Sequence, residues 1–295
     1  MKEVVVISGK GGTGKTSVAG AFAAIAGSVV VADCDVDAAD LHLILGPVVE
    51  YEEEFSGGKV AWIDSARCIG CGRCADMCRF GAISFRGPGN DVVAKTFVVD
   101  AVSCEGCKVC VEFCSVKAVE FERAVNGRWF RSVTRFGPMV HARLGIAEEN
   151  SGKLVTLIRG KAREIAEEKG LDYVIVDGSP GIGCPVIASI TGADAVVAVT
   201  EPTLSGIHDL RRVSELAGRF GVRTLVCVNK ADINLEMTGR IFEFAGEKGL
   251  KVVGRLPYDD CFTRAQMRKE TVVEYGGEAA ERVKAMWGEV VCELG

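Results

Sequence analysis

The sequence predicts an α/β protein, a mostly parallel sheet covered by helices on both faces, with a small α+β domain inserted into it. Three observations lead there. Short β-branched runs alternate with helical stretches at both ends of the chain; a glycine-rich loop joins the first run to the first helix; and eight of the 13 cysteines fall between residues 68 and 114, where the alternation is suspended. The 295 residues suit roughly two domains of about 150 residues.

Lys2 to Ser8 is a β-branched run that enters a glycine-rich turn, and Lys15 to Ala26 carries the alanines of a helix. A second apolar run, Ser28 to Ala32, ends in the acidic cluster Asp33, Asp35, Asp37 and Asp40. After Gly46 come Glu50, Glu52, Glu53 and Glu54, then Gly57 and Gly58, which mark a boundary. Residues 1–58 are therefore assigned to the first part of the main domain, 59–137 to the insert and 138–295 to the second part. Val119 to Val125 and Arg128 to Phe136 flank Asn126-Gly127, two residues that tolerate positive φ, and this predicts a hairpin.

Beyond residue 140 the alternation resumes. Leu171 to Val176, Ala195 to Val199, Arg223 to Val228 and Lys251 to Leu256 are buried-strand runs, separated by helical stretches such as Ile207 to Arg219 and Leu235 to Lys248. The last helix places Val283, Met286, Trp287, Val290, Val291 and Leu294 on one face, suited to core packing; a membrane-surface helix would carry a polar face rich in Lys or Arg. Strands alternating with helices on both sides of the insert imply a parallel sheet.

Composition excludes several classes. A hydrophobic fraction of 48% with 25% charged residues is that of a globular chain, not a disordered or collagen-like one. The apolar stretch Val18 to Ala32 is broken by Gly20, Gly27 and Ser28 and falls short of the about 20 residues a spanning helix needs. The opening MKEVVVISGK lacks the long apolar region of a signal peptide. A cytoplasmic protein without stable membrane insertion is expected. The net charge of −5 gives no footprint for nucleic acid.

Gly9 to Thr16, GKGGTGKT, fits G-x-x-x-x-G-K-[ST] between a strand and a helix, the context in which such a loop cradles phosphates. Glycines let the backbone N–H groups converge on phosphate oxygens, and the helix N-terminus adds its positive dipole end. Gly11, Gly12, Thr13, Gly14, Lys15, Thr16 and Ser17 are the expected phosphate-binding residues. Lys15 would neutralise the terminal phosphates and the Thr16 hydroxyl would bind Mg²⁺. Asp177, at the end of the strand in YVIVDGSPG, would hold a water on that Mg²⁺.

With Lys10 one residue into the loop, the sequence resembles the deviant Walker A P-loop ATPases that include MinD, ParA, the Mrp-type carriers and the nitrogenase iron protein, over most of residues 1–46 and 140–295. The resemblance implies a homodimer, or a pair with a close paralogue, that sandwiches ATP, with Lys10 reaching the partner's phosphates as an arginine finger does. It also implies that Asp35 orients the attacking water and that Asp40 is a switch residue; Asp33 and Asp37 are read as solvating the loop. VCVNKAD contains Asn229-Lys230-x-Asp232, which looks like the guanine motif of GTPases, whereas in the resembled family an Asn at this strand end contacts adenine. The family implies ATP.

The cysteines fall in two quartets of equal spacing, Cys68, Cys71, Cys74, Cys78 and Cys104, Cys107, Cys110, Cys114. Each fits C-x₂-C-x₂-C-x₃-C, the bacterial ferredoxin run for [4Fe-4S] clusters, whose fourth thiolate serves the other cluster. The expected ligand sets are Cys68, Cys71, Cys74 with Cys114, and Cys104, Cys107, Cys110 with Cys78. Zinc sites use other spacings. The proline that usually follows the fourth cysteine is replaced by Arg79 and Ser115. The two segments are an internal duplication with a 36-residue offset.

Cys34, Cys227, Cys261 and Cys292 are expected as small buried hydrophobes. Cys184 lies seven residues after Asp177, a spacing at which the nitrogenase iron protein holds a cluster shared between subunits; core packing under Pro185 is the other reading, since Arg143 to Leu154 lacks the second cysteine. The C-terminal C-x-x-C of the Mrp-type carriers is absent. His42, His141 and His208 are too scattered for a metal cluster and are assigned structural hydrogen bonding.

As a whole the chain resembles MinD-superfamily P-loop ATPases with an inserted two-cluster ferredoxin domain. The expected function is an iron-sulfur ATPase coupling ATP to electron transfer toward an unidentified redox partner. A cluster carrier serving an apo-protein acceptor and a MinD-like positioning switch are the alternatives.

Overall fold

The computed structural model describes residues 1–145 and 151–295. Two units are present, one built from residues 1–53, 128–143 and 151–295, the other on Glu54–Gly127. The first opens with β1 (Lys2–Ile7), α1 (Lys15–Ala26), β2 (Val29–Asp33), α2 (Leu41–Leu45) and β3 (Val48–Phe55). The second contributes β4 (Gly58–Ile63), α3 (Arg73–Asp76), β5 (Ile83–Gly87), β6 (Thr96–Val99), α4 (Val109–Glu112) and β7 (Val119–Ala124). The chain then supplies β8 (Gly127–Thr134), β9 (Gly137–Leu144), α5 (Ser151–Lys169), β10 (Tyr173–Asp177), α6 (Cys184–Ile190), β11 (Ala195–Thr200) and α7 (Leu204–Arg219). It ends with β12 (Arg223–Val228), α8 (Leu235–Glu247), β13 (Lys251–Arg255), α9 (Cys261–Met267), α10 (Val272–Tyr275) and α11 (Glu278–Leu294).

The main sheet has nine strands in the order β13-β12-β11-β1-β10-β2-β9-β8-β3. From β13 to β9 every pairing is parallel. The central strands are β-branched runs buried from end to end, as a sheet covered on both faces requires. On one face α1 and α11 pack together. Phe22 meets Trp287 at 4.9 Å between ring centroids, and Trp287 meets Tyr173 edge-on at 5.2 Å. Val283, Met286, Trp287 and Val290 are buried there, as the periodicity of the last helix predicted. Helix α7 begins earlier than the apolar pattern suggested, because the Thr203 hydroxyl accepts from Gly206 N and caps it.

Asn126-Gly127 does not turn a hairpin. β7 pairs with β4, while β8 lies between β9 and β3 in the main sheet, so this dipeptide is where the chain passes from one unit to the other. Neither residue has positive φ. Asn126 Oδ1 instead accepts from Gly57 N, and Asn126 N donates to Phe55 O, which ties the two chain crossings together. The expected boundary at residue 137 is corrected accordingly: β8 belongs to the main sheet.

In the second unit β4–β7 and β5–β6 are antiparallel pairs. The 36-residue duplication is visible in the backbone. Gly70 and Gly106 have φ of 66° and 62°, Gly72 and Lys108 of 81° and 70°, Gly81 and Lys117 of 64° and 51°. At Gly106 a Cβ would stand 2.4 Å from Lys59 O, so no other residue fits that turn.

Candidate nucleotide site and cysteine quartets

Because the strands are parallel, β1, β2, β10, β11, β12 and β13 end on one side of the sheet, where α/β proteins bind ligands. A cavity of about 450 Å³ opens there. Gly11 to Ser17 line it from the first loop, Asp35 and Asp40 from the segment after β2, and Asn229 and Lys230 from the end of β12. Its far wall is Pro257, Tyr258, Asp259, Phe262 and Gln266, after β13. The size is that of a small-molecule pocket.

Gly14 takes φ 91°, and a Cβ there would stand 2.4 Å from Asn229 Nδ2. This close approach lets Asn229 Nδ2 donate to Thr13 O at 2.8 Å, and Lys230 Nζ donates to Gly12 O at 3.2 Å. The N-K-x-D segment thus ties down the glycine loop. Asp232 Oδ1 accepts from Tyr258 N at 2.6 Å and orders the far wall. The wall residues escaped sequence reasoning; the signal was a Pro-Tyr-Asp-Asp loop following the last strand of a parallel sheet.

Lys15 lies buried in the cavity floor, its Nζ 2.5 Å from Asp177 Oδ1 and 3.2 Å from Asp35 Oδ2. Burial opposes its charge, but Asp177 and Asp35 outweigh that and hold its pKa above the ordinary lysine value. Asp35 is raised by burial despite Lys15. Asp177 is fully buried and reaches Lys15 without lining the cavity. Asp33, expected in solvent, is 1% exposed and opposite Asp177 in the strand register; burial and Asp177 push its pKa well up. Neither Asp33 Oδ2 nor Asp177 Oδ2 has a hydrogen-bond partner, so each is an unsatisfied polar atom in a buried site. Lys10 lies outside the cavity, paired with Glu201.

The eight quartet cysteines line two cavities. One is bordered by Cys68, Cys71, Cys74 and Cys114, the other by Cys78, Cys104, Cys107 and Cys110. These sets draw the fourth cysteine of each run into the opposite group. Asn90 Nδ2 braces the first set by donating to Ser65 O and Cys68 O, at 2.6 and 2.8 Å. Ala118 N donates to Cys114 Sγ at 3.2 Å. Burial, then the neighbouring cysteines, pushes Cys74 up to about 11, and Cys110 is raised by burial and by Cys104 and Cys107. Among the described residues no group of three or more His, Cys, Asp or Glu is arranged to hold a single metal ion.

Cys34, Cys227 and Cys261 are buried; Cys292 is exposed, contrary to expectation, because it falls off the apolar face of α11. Cys184 is also exposed, at the start of α6, so it is not core packing. The segment 143–154 lies partly outside the described residues. Among described residues no helix is long and apolar enough to cross a membrane.

Parallel strand order, glycine loop and buried lysine define a P-loop nucleotide-binding protein. The chain belongs to the CobQ/CobB/MinD/ParA nucleotide binding domain family, which it matches over residues 4–272. It is 34% identical over 235 residues to the uncharacterized protein MJ0578 of Methanocaldococcus jannaschii, 79% of each chain. The fold is similar to the cell division ATPase MinD of Pyrococcus furiosus, at TM-score 0.58 and 15% identity over 99% of this chain and 98% of that one. It is similar also to MinD of Pyrococcus horikoshii complexed with Mg-ADP, at TM-score 0.58 and 16% identity over 98% and 95%.

Proposed function

We propose that the chain is an ATPase whose two subunits close over Mg-ATP and thereby gate electron transfer through two [4Fe-4S] clusters. The observation that carries this reading is the exchange of the fourth cysteines. Cys114 joins Cys68, Cys71 and Cys74, and Cys78 joins Cys104, Cys107 and Cys110, in a chain that also has a complete phosphate loop. The exchange is the ligand pattern of two-cluster ferredoxins.

The donor chemistry fits. Eight free thiols open on two small cavities, the paired left-handed turns curl the backbone around them, and Ala118 N–H points at Cys114 Sγ, a sulfur that would ligate a cluster. Bound there, each cluster would accept and release one electron at a time.

At the nucleotide site Lys15 is held by Asp177 and Asp35. A phosphate chain entering the cavity offers the ammonium a more highly charged partner. With Lys15 on the phosphates, Asp177 would be available to order the water shell of Mg²⁺, Thr16 would supply the hydroxyl ligand, and Asp35 would be available to orient the attacking water. Lys10, supplied by the opposite subunit, would offset charge in the transition state. Asp35 and Asp40 line the cavity and are followed in the chain by α2 and β3, after which it enters the second unit; this stretch is the route by which a change at the phosphates would reach the clusters.

ATP is the proposed nucleotide. The test is Lys15→Ala: ATP-dependent electron transfer to an acceptor dye is lost while iron content per chain is retained. ATP-dependent transfer that survives the substitution would overturn the reading, and ATP-dependent loss of iron to a thiol-rich apo-acceptor would favour a cluster carrier instead.

A further inference from the structure

Glu201 follows β11 directly, and its two carboxylate oxygens are divided between two lysines from different loops. Lys10 Nζ pairs with Oε1, and Lys230 Nζ lies 3.1 Å from Oε2. The Glu201 side chain is 15% exposed against 36% for Lys10. Its backbone is fixed as well: Glu201 O accepts from Thr203 N at 2.7 Å, and a Cβ on Gly206 would stand 2.2 Å from that oxygen. Burial pushes the Glu201 carboxyl up, but Lys10 and Lys230 outweigh it and hold it below the usual carboxylate range.

We propose that Glu201 is a positioning residue that holds Lys10 within its own subunit and so sets the threshold for ATP-dependent pairing of two copies. The role rests on the reading above, in which Lys10 acts on the partner's phosphates. While paired with Glu201, and within 3.4 Å of Ser205 Oγ, the ammonium cannot extend to a second subunit. When it leaves, Glu201 is not stranded, because Lys230 stays on the other oxygen and is itself anchored to Gly12 O at 3.2 Å. Release therefore avoids the penalty of an unpaired, partly buried carboxylate, which makes the contact reversible. Competition between Glu201 and the partner's phosphates for one cation links closure to the presence of ATP.

The experiment uses the full chain with Glu201→Gln, Lys10→Ala and the double variant, each checked for a native melting transition. In the nucleotide-free state, acylation of Lys10 by an amine-reactive ester, read by mass spectrometry, rises about fivefold in E201Q, the scale of a partly exposed ion pair. With Mg-ATP, sedimentation shows E201Q pairing at about five- to twentyfold lower concentration than wild type, since a symmetric dimer breaks two such contacts. K10A/E201Q pairs no better than K10A. Unchanged Lys10 labelling, pairing of E201Q equal to or weaker than wild type, or a gain that persists without Lys10 would each overturn the role. A wild-type chain that stays monomeric with Mg-ATP contradicts the dimer reading itself, and the threshold falls with it even if the labelling change is seen.

Discussion

Lys15 Nζ and Asp177 Oδ1 are 2.5 Å apart at a site where the two side chains are 5% and 0% exposed. The lysine of the glycine loop thus serves as the counter-charge of a buried carboxylate. Lys15→Ala leaves Asp177, Asp33 and Asp35 together with no cation, and the nucleotide-free chain should lose about 3–5 kcal/mol of stability along with ATP binding. Lys15→Ala combined with Asp177→Asn should regain most of the stability and none of the binding. Urea unfolding and ATP titration of both variants check this.

Asn229 is a brace for the loop by virtue of its bond to Thr13 O. Asn229→Ala removes one buried hydrogen bond and should weaken ATP binding about tenfold through the loop conformation, with GTP failing to outcompete ATP in either protein. Fluorescent-nucleotide displacement measures both effects.

His141 provides a pH test of the main sheet. Burial, with smaller contributions from His42 and Arg143, lowers its pKa to about 4 from 6.5, and Ser132 Oγ lies 2.8 Å from its Nε2. The unfolded chain therefore binds more protons between these values. Stability is fully present above pH 6.5 and falls as the pH drops toward 4, by about 2 kcal/mol at pH 5. His141→Asn should flatten that slope in denaturant unfolding at pH 7.5 and 5.

The proposed crossed ligation can be tested by serine substitution. Cys78→Ser should perturb the same cluster signal as Cys104→Ser, and Cys114→Ser the same signal as Cys74→Ser, each lowering iron content by up to half. Electron paramagnetic resonance of the reduced variants distinguishes this pairing from one in which each run of four holds its own cluster.

Much of this molecule was legible in its sequence. The loop Gly11 to Ser17 announced itself because its backbone chemistry needs a fixed spacing, and the buried strands because both faces of a parallel strand must be apolar. Asn126-Gly127 misled, since local turn propensity says nothing about which strand a neighbour pairs with, and here β4 and β9 claimed the two flanking strands. Asp33 was misjudged for a related reason: an acidic run looks solvated until the register sets Asp33 opposite Asp177. Glu201 carried no motif. Its role depends on two lysines, at positions 10 and 230, that only the parallel sheet brings to one carboxylate.

Nucleotide and clusters, as proposed, share one energetic cycle. Anaerobic redox titration of the iron-loaded chain, followed by electron paramagnetic resonance, with and without Mg-ATP, reads that coupling at the clusters. Binding linkage is reciprocal, so a chain whose closure over ATP acts on its clusters must show cluster potentials displaced by Mg-ATP. The displacement is expected in the wild-type chain and is lost in Lys15→Ala. Superimposable titrations with and without Mg-ATP would contradict it.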